Sequence, residues 1–254
     1  MVGRSSPSSD LPGARVVRAR GAVAACLTLM AIWALAVAGL PSVAAAHTAI
    51  TFRTDDGVTI RGYQFGSGRA VVIFSHMYGT DQRIWFPLAE ELARRGYSAI
   101  TYDYRGIGRS GGRFVIAQTY RDALAAIAYA TRRGPRPVIL AGASMGGTVS
   151  LKAAAMRQAS SRPVQGVVVV ASGTMFRGLD VRPHLGSLRA PKLFLAGSKD
   201  QPFADSVRRM HALSPPTKTL RLYPTGAHGT YLFGTRYGPA IRAEILAFVR
   251  RYAR

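Results

Sequence analysis

Three residue types that together perform nucleophilic catalysis occur in this chain in a fixed order, each in a glycine-containing turn. Ser144 sits in Gly142-Ala143-Ser144-Met145-Gly146, Asp200 ends Gly197-Ser198-Lys199-Asp200, and His228 lies in Gly226-Ala227-His228-Gly229. A serine hydroxyl is a weak nucleophile at neutral pH and needs a base to take its proton as it attacks. A histidine held by a carboxylate is that base. His228 is the candidate base and Asp200 the candidate orienting acid. Asp205 and Asp180 are rivals for the acid; Asp205 falls within an expected helix and Asp180 after the preceding strand. The developing oxyanion needs donors, and the backbone N–H of Met145, just after the nucleophile, is one candidate.

These residues need a scaffold that presents them on one edge. Val138-Ile139-Leu140-Ala141 reads as a buried strand and Thr148 to Arg157 as a helix, which is the strand–turn–helix setting of a nucleophile elbow. Thr48–Thr54 and Val58–Phe65, split by Asp55-Asp56-Gly57, read as an antiparallel hairpin. Thereafter apolar runs alternate with helical patterns. Strands are expected at Ala70–Phe74, Ser98–Tyr102, Gln165–Val170, Pro191–Ala196 and Lys218–Tyr223. Helices are expected at Trp85–Arg95, Tyr120–Thr131 (burying Ala123, Leu124, Ile127 and Ala128), Phe203–Ala212 and Pro239–Tyr252. Ala171–Ala190 reads as irregular with weak helical potential. This predicts a mostly parallel, eight-stranded sheet with helices on both faces. In such sheets, sites form beyond the carboxyl ends of the strands.

Ser75-His76-Met77-Tyr78-Gly79, the glycine-rich loop Asp103 to Gly111, the elbow and the Asp200 and His228 loops occur in the order used by the α/β-hydrolase fold family. The chain resembles that family from about Thr48 to its end, and more narrowly resembles the compact dienelactone-hydrolase-like proteins and small serine esterases. The resemblance implies a serine hydrolase without a large cap domain, in which the backbone N–H of Tyr78 is the second oxyanion donor. Met77 stands where the family usually has glycine. His76 reads as a residue that pins this loop, and Asp103 and Arg105 as structural polar contacts, with Arg105 as a substrate-carboxylate clamp the alternative. Met77, Tyr78, Met145, Met175, Phe176 and Leu179 are candidate pocket walls. The short segment 171–190, where relatives carry a lid, implies an open site for small to medium acyl esters. A serine peptidase or amidase on the same residues is the competing enzymatic reading, and a non-catalytic envelope or binding protein the competing non-enzymatic one.

No cofactor or metal is implied. The five histidines are dispersed, and the loop at 103–111 is not a dinucleotide fingerprint. Residues 1–46 read as a separate element. Arg15, Arg18 and Arg20 precede an uncharged apolar run from Gly21 to Leu40, followed by Ser42-Val43-Ala44-Ala45-Ala46. This fits a secretory signal cleaved near Ala46, with a retained membrane anchor as the competitor. Both place the catalytic domain, 47–254, outside the cytoplasm. The single cysteine, Cys26, lies in the leader. The net charge is +22, and almost all of the 34 basic residues are arginine. They are scattered through the chain in short pairs such as Arg94-Arg95, without a basic tail or aromatic stripe. That argues against nucleic acid and for a solvated cationic surface attracted to anionic envelope polymers or lipids. Oligomeric state is not legible.

Overall fold

The computed structural model describes residues 47–134 and 136–253. The leader expectation for 1–46 lies outside them. Among the described residues, no helix is long and apolar enough to cross a membrane.

The chain begins with β1 (His47–Arg53) and β2 (Thr59–Phe65), paired antiparallel with His47 opposite Phe65 and Arg53 opposite Thr59. Then follow β3 (Val71–Ser75), α1 (Phe86–Arg94), β4 (Ser98–Tyr102), α2 (Thr119–Thr131), β5 (Val138–Ala143), α3 (Met145–Arg157) and β6 (Gly166–Val170). A small hairpin, β7 (Met175–Phe176) and β8 (Leu179–Asp180), leads to the one-turn α4 (Arg182–Leu185). The chain closes with β9 (Lys192–Gly197), α5 (Phe203–Leu213), β10 (Lys218–Tyr223) and α6 (Gly238–Tyr252).

Eight strands form one sheet in the order β1-β2-β4-β3-β5-β6-β9-β10. β2 is antiparallel to both neighbours, and every pair from β4 to β10 is parallel. With helices on both faces, this is the α/β-hydrolase fold expected from the sequence, without a cap domain. The continuous apolar runs mark strands covered on both sides. Every residue of β3, β4, β5, β6 and β9 is buried. In β6, Val167, Val168, Val169 and Val170 expose no surface, and burying a valine contributes roughly 1.5–3 kcal/mol. Burial thins at the edges: β1 buries only Ile50 and Phe52, and β10 is half-buried with Arg221 exposed.

Helix ends follow their local chemistry. Gly96 ends α1 at φ +82, with its N–H donating to Ala93 O at 3.0 Å, and the N–H of Tyr97 reaches Leu92 O at 3.1 Å. Two expectations are corrected. α2 buries Asp122, Ala123, Ala125, Ala126, Ile127 and Ala130, while Leu124 is half-buried and Ala128 exposed. An alanine-rich helix has too weak a hydrophobic asymmetry to fix its facing angle from sequence. Segment 171–190 is ordered by the β7–β8 hairpin and α4 rather than irregular.

Candidate active site

The elbow places Ser144 at φ 53, ψ −124, between β5 and the first turn of α3. A left-handed conformation costs a residue with a Cβ about 1–2 kcal/mol, so the surroundings must hold it. The N–H of Ser144 donates to Val170 O at 2.8 Å, tying the turn to the end of β6. Crowding then dictates the glycines. A Cβ on Gly142 would strike the carbonyl of Gly146, one on Gly146 the carbonyl of Ser75, and one on Gly147 the hydroxyl of Ser172. Gly147, which the five-residue pattern does not include, is also crowded, chiefly by the Ser172 side chain rather than by backbone.

Ser144 Oγ lies 2.8 Å from His228 Nε2, and His228 Nδ1 lies 2.8 Å from Asp200 Oδ2. The carboxylate can only accept, so Nδ1 carries the proton and Nε2 offers its lone pair to the serine hydroxyl. This is a Ser-His-Asp triad in the state that precedes attack. Asp200 is 7% exposed and His228 29%, so the acid is shielded while the base meets solvent. Phe203, the first residue of α5, packs on the imidazole with ring centroids 4.1 Å apart. The rival acids are engaged elsewhere: Asp180 by Arg182 at 2.8 Å and Asp205 by Arg208 at 3.1 Å.

Met77 is not a wall of an open pocket. It is buried, and its sulfur lies under the loop that carries His228. The N–H of Thr230 points at this sulfur from 3.4 Å. Gly229, at φ +55, has no room for a Cβ because the same sulfur fills the space. An unbranched, polarisable side chain fits such an irregular gap, and it couples the loop after β3 to the loop after β10.

The loop from Ser75 to Gln82 is braced throughout. His76 is buried; its Nδ1 lies 2.8 Å from Met77 O, and Nε2 accepts from the N–H of Tyr104 at 3.4 Å. Burial pushes its pKa down, which keeps this bracing imidazole neutral. Trp85 donates to Ser75 O at 3.0 Å, and Tyr102 lies 2.7 Å from the Ser75 hydroxyl. Asp103 accepts from the backbone and side chain of Gln82 at 3.0 and 2.9 Å. Within this frame the backbone N–H groups of Met145 and Tyr78 have no hydrogen-bond partner among the described residues.

Arg105 is a structural residue. It is buried, and its guanidinium lies 2.8 Å from both Asp56 and Asp122. Burial raises Asp122 to about 6 despite the arginine, whereas hydrogen bonding to Arg105 holds Asp56 well below the usual carboxylate range. Asp56, a turn residue in the sequence, and Asp122 and Gln82 carry polar contacts that no motif marks. A carboxylate on the apolar face of a helix, as at Asp122, is the available signal.

At the rim, Tyr78 and Met175 are exposed and Phe176 is half-buried, whereas Leu179 is fully buried and presents nothing to a substrate. Met145 is also buried. The Tyr78 ring stands 6.0 Å from that of Phe114 and 5.4 Å from that of Phe176. A recess of about 340 Å³ between the β1–β2 ribbon and the loops at 81–83 and 103–109 contains none of the triad.

Residues 66–180 match the family model described as serine aminopeptidase, S33. The chain is 27% identical over 237 residues to the uncharacterized protein YfhR of Salmonella typhi, covering 79% of this chain and 80% of that protein. The esterase Pf2001 of Pyrococcus furiosus superposes with a TM-score of 0.71 at 15% identity, covering 82% of this chain and 92% of its own. The esterase EaEST of Exiguobacterium antarcticum gives 0.67 at 16% identity, covering 80% and 100%. The chain thus has the α/β-hydrolase fold with an assembled serine triad, and over residues 66–180 it is similar to the serine aminopeptidase S33 model.

Proposed function

We propose that the protein hydrolyses small to medium carboxylic esters through an acyl-enzyme. Ser144 Oγ attacks the carbonyl carbon while His228 Nε2 takes its proton, and Asp200 stabilises the imidazolium. The N–H groups of Met145 and Tyr78 receive the oxyanion. The tetrahedral adduct collapses, and the leaving alcohol takes the proton from His228. Water then gives a proton to His228 as it attacks the acyl-enzyme, and His228 passes that proton to Ser144 Oγ as the second adduct collapses and the acid leaves. No metal or cofactor takes part in this cycle. The observation that carries the reading is the pair of 2.8 Å hydrogen bonds linking Ser144, His228 and Asp200.

Tyr78, Met175 and Phe176 would line the acyl or alcohol side of an open cleft, which favours soluble esters over substrates that require a lid. The short 171–190 segment supports placing the protein with the compact dienelactone-hydrolase-like and small serine esterases. Ser144→Ala should lower ester turnover on the order of 10⁴-fold or more without unfolding the protein; full activity in that variant removes the mechanism. The family description favours a second reading, an aminopeptidase or amidase on the same triad, which matched ester and amide substrates separate. A non-catalytic scaffold would leave Ser144 unlabelled by an organophosphonate.

The net charge of +22 and the basic–apolar leader support an extracytoplasmic protein drawn electrostatically to an anionic envelope. The mass of the exported chain distinguishes cleavage from anchoring, and salt-sensitive binding to anionic vesicles tests the surface attraction.

A further inference from the structure

The β7–β8 hairpin turns through two residues, Arg177 and Gly178, both at positive φ (44 and 83). Tight hairpins of this kind normally take Asn-Gly or Asp-Gly, because the first position must also be left-handed. A large cationic side chain there is held against its own backbone preference, and such strain gathers at functional sites.

The guanidinium of Arg177 faces the oxyanion loop. Its Nη1 donates to the Tyr78 hydroxyl at 3.2 Å, and its central carbon lies 4.9 Å from the Tyr78 ring centroid and 5.5 Å from that of Phe176. The hairpin itself is anchored beside the elbow. Thr148, in α3, donates its hydroxyl to Gly173 O at 2.7 Å, and Val181 N–H returns to Thr174 O at 3.1 Å. Among the described residues, no carboxylate lies within ion-pairing distance of Arg177, whereas its neighbour Asp180 is taken by Arg182. A guanidinium fixed over aromatic rings, with its remaining N–H groups open, is a fork for a planar oxyacid anion.

We infer that Arg177, seated on Tyr78 and Phe176 at the tip of the β7–β8 hairpin, binds an anionic group of the substrate and makes the site selective for esters that carry a carboxylate or phosphate-like tail. This inference rests on the ester-hydrolase reading. It assigns Arg177 to substrate binding and takes no proton or bond step through it.

The test compares p-nitrophenyl valerate with p-nitrophenyl glutarate, which has the same acyl length and ends in a carboxylate. A third ester of matched length ending in a phosphonate tells the two anions apart. The wild-type protein should favour at least one anionic ester by about tenfold in kcat/KM, mainly through KM and less so at high salt. Arg177→Asn, which accepts the left-handed turn, should abolish that preference by raising KM for the favoured anionic ester about tenfold. Arg177→Lys should keep part of it. Equal turnover of all three esters by the wild type overturns the inference. So does a preference that survives Arg177→Asn, because the general cationic surface would then be its source. Failure of the ester reading looks different: the wild type would hydrolyse none of the three, or Ser144→Ala would hydrolyse them unchanged.

Discussion

The two sides of the catalytic cleft are built on different principles. The side formed by the loops after β3, β4 and β5 is cross-braced from within: His76, Gln82, Asp103 and Arg105 expose almost nothing. The side formed by 173–182 is a two-residue-per-strand hairpin with Met175 half in solvent and Arg177 exposed. Chemistry needs atoms held to fractions of an ångström, and close packing with satisfied polar groups supplies that. Selectivity is set by contacts that change without cost to the fold, and an exposed hairpin supplies those. Substitutions on the braced side should therefore cost activity and stability, and those at the exposed hairpin positions Met175 and Arg177 should alter substrate choice alone.

The largest expected effect is on the proton path. Asp200→Asn should reduce kcat on the order of 10⁴-fold with an unchanged melting temperature, because the amide favours the wrong imidazole tautomer; a loss below about tenfold would contradict the triad geometry. Next, Asp122→Ala removes one partner of the buried Arg105 guanidinium. Breaking a buried pair costs about 3–5 kcal/mol, which a shift in the urea midpoint reads directly. Gly229→Ala should follow, since its methyl meets the Met77 sulfur under His228. The expected loss is about 1–2 kcal/mol of stability with a fall in kcat. Met77→Ala added to it should restore part of kcat by opening the space; no recovery would show that Met77 does not position the His228 loop. Smallest is Met175→Ala, expected to shift KM by a few-fold and leave the urea midpoint in place.

The Arg105 network also sets an acid sensitivity. The Asp56 pKa is depressed in the fold, so its contribution is present above its ordinary value of 3.8 and is lost as pH falls below it. Asp122 runs the other way. Its pKa is raised to about 6, so its contribution is fully present below 3.8 and declines as pH rises toward 6. Asp56→Asn should reduce the loss of stability below pH 3.8 without removing the decline between 3.8 and 6. Urea midpoints across pH 2–7 measure both slopes.

The strands and the order of the triad were legible because each rests on a local signal. Unbroken apolar runs such as Val167 to Val170 mark fully covered strands, and glycine-flanked polar residues mark the turns at their ends. Distant packing left no such trace. Sequence alone makes Met77 a pocket wall because nothing local places Gly229 over its sulfur, 152 residues along the chain. Arg105 was identified as structural, but its partners Asp56 and Asp122 lie on a turn and a helix that only the folded sheet brings together. The facing of α2 failed for a different reason: alternating alanines at 123, 125, 126, 128 and 130 carry almost no directional signal.

Ser144 is the nucleophile of this site, and His228 and Asp200 activate it. Intact-mass and peptide mapping after treatment with a serine-reactive organophosphonate tests this assignment most directly. One adduct per chain is expected, on the peptide containing Ser144, with ester turnover lost in proportion to labelling and the reaction strongly slowed in His228→Ala. Stoichiometric labelling at another residue, or ester turnover that persists in fully labelled protein, would contradict it.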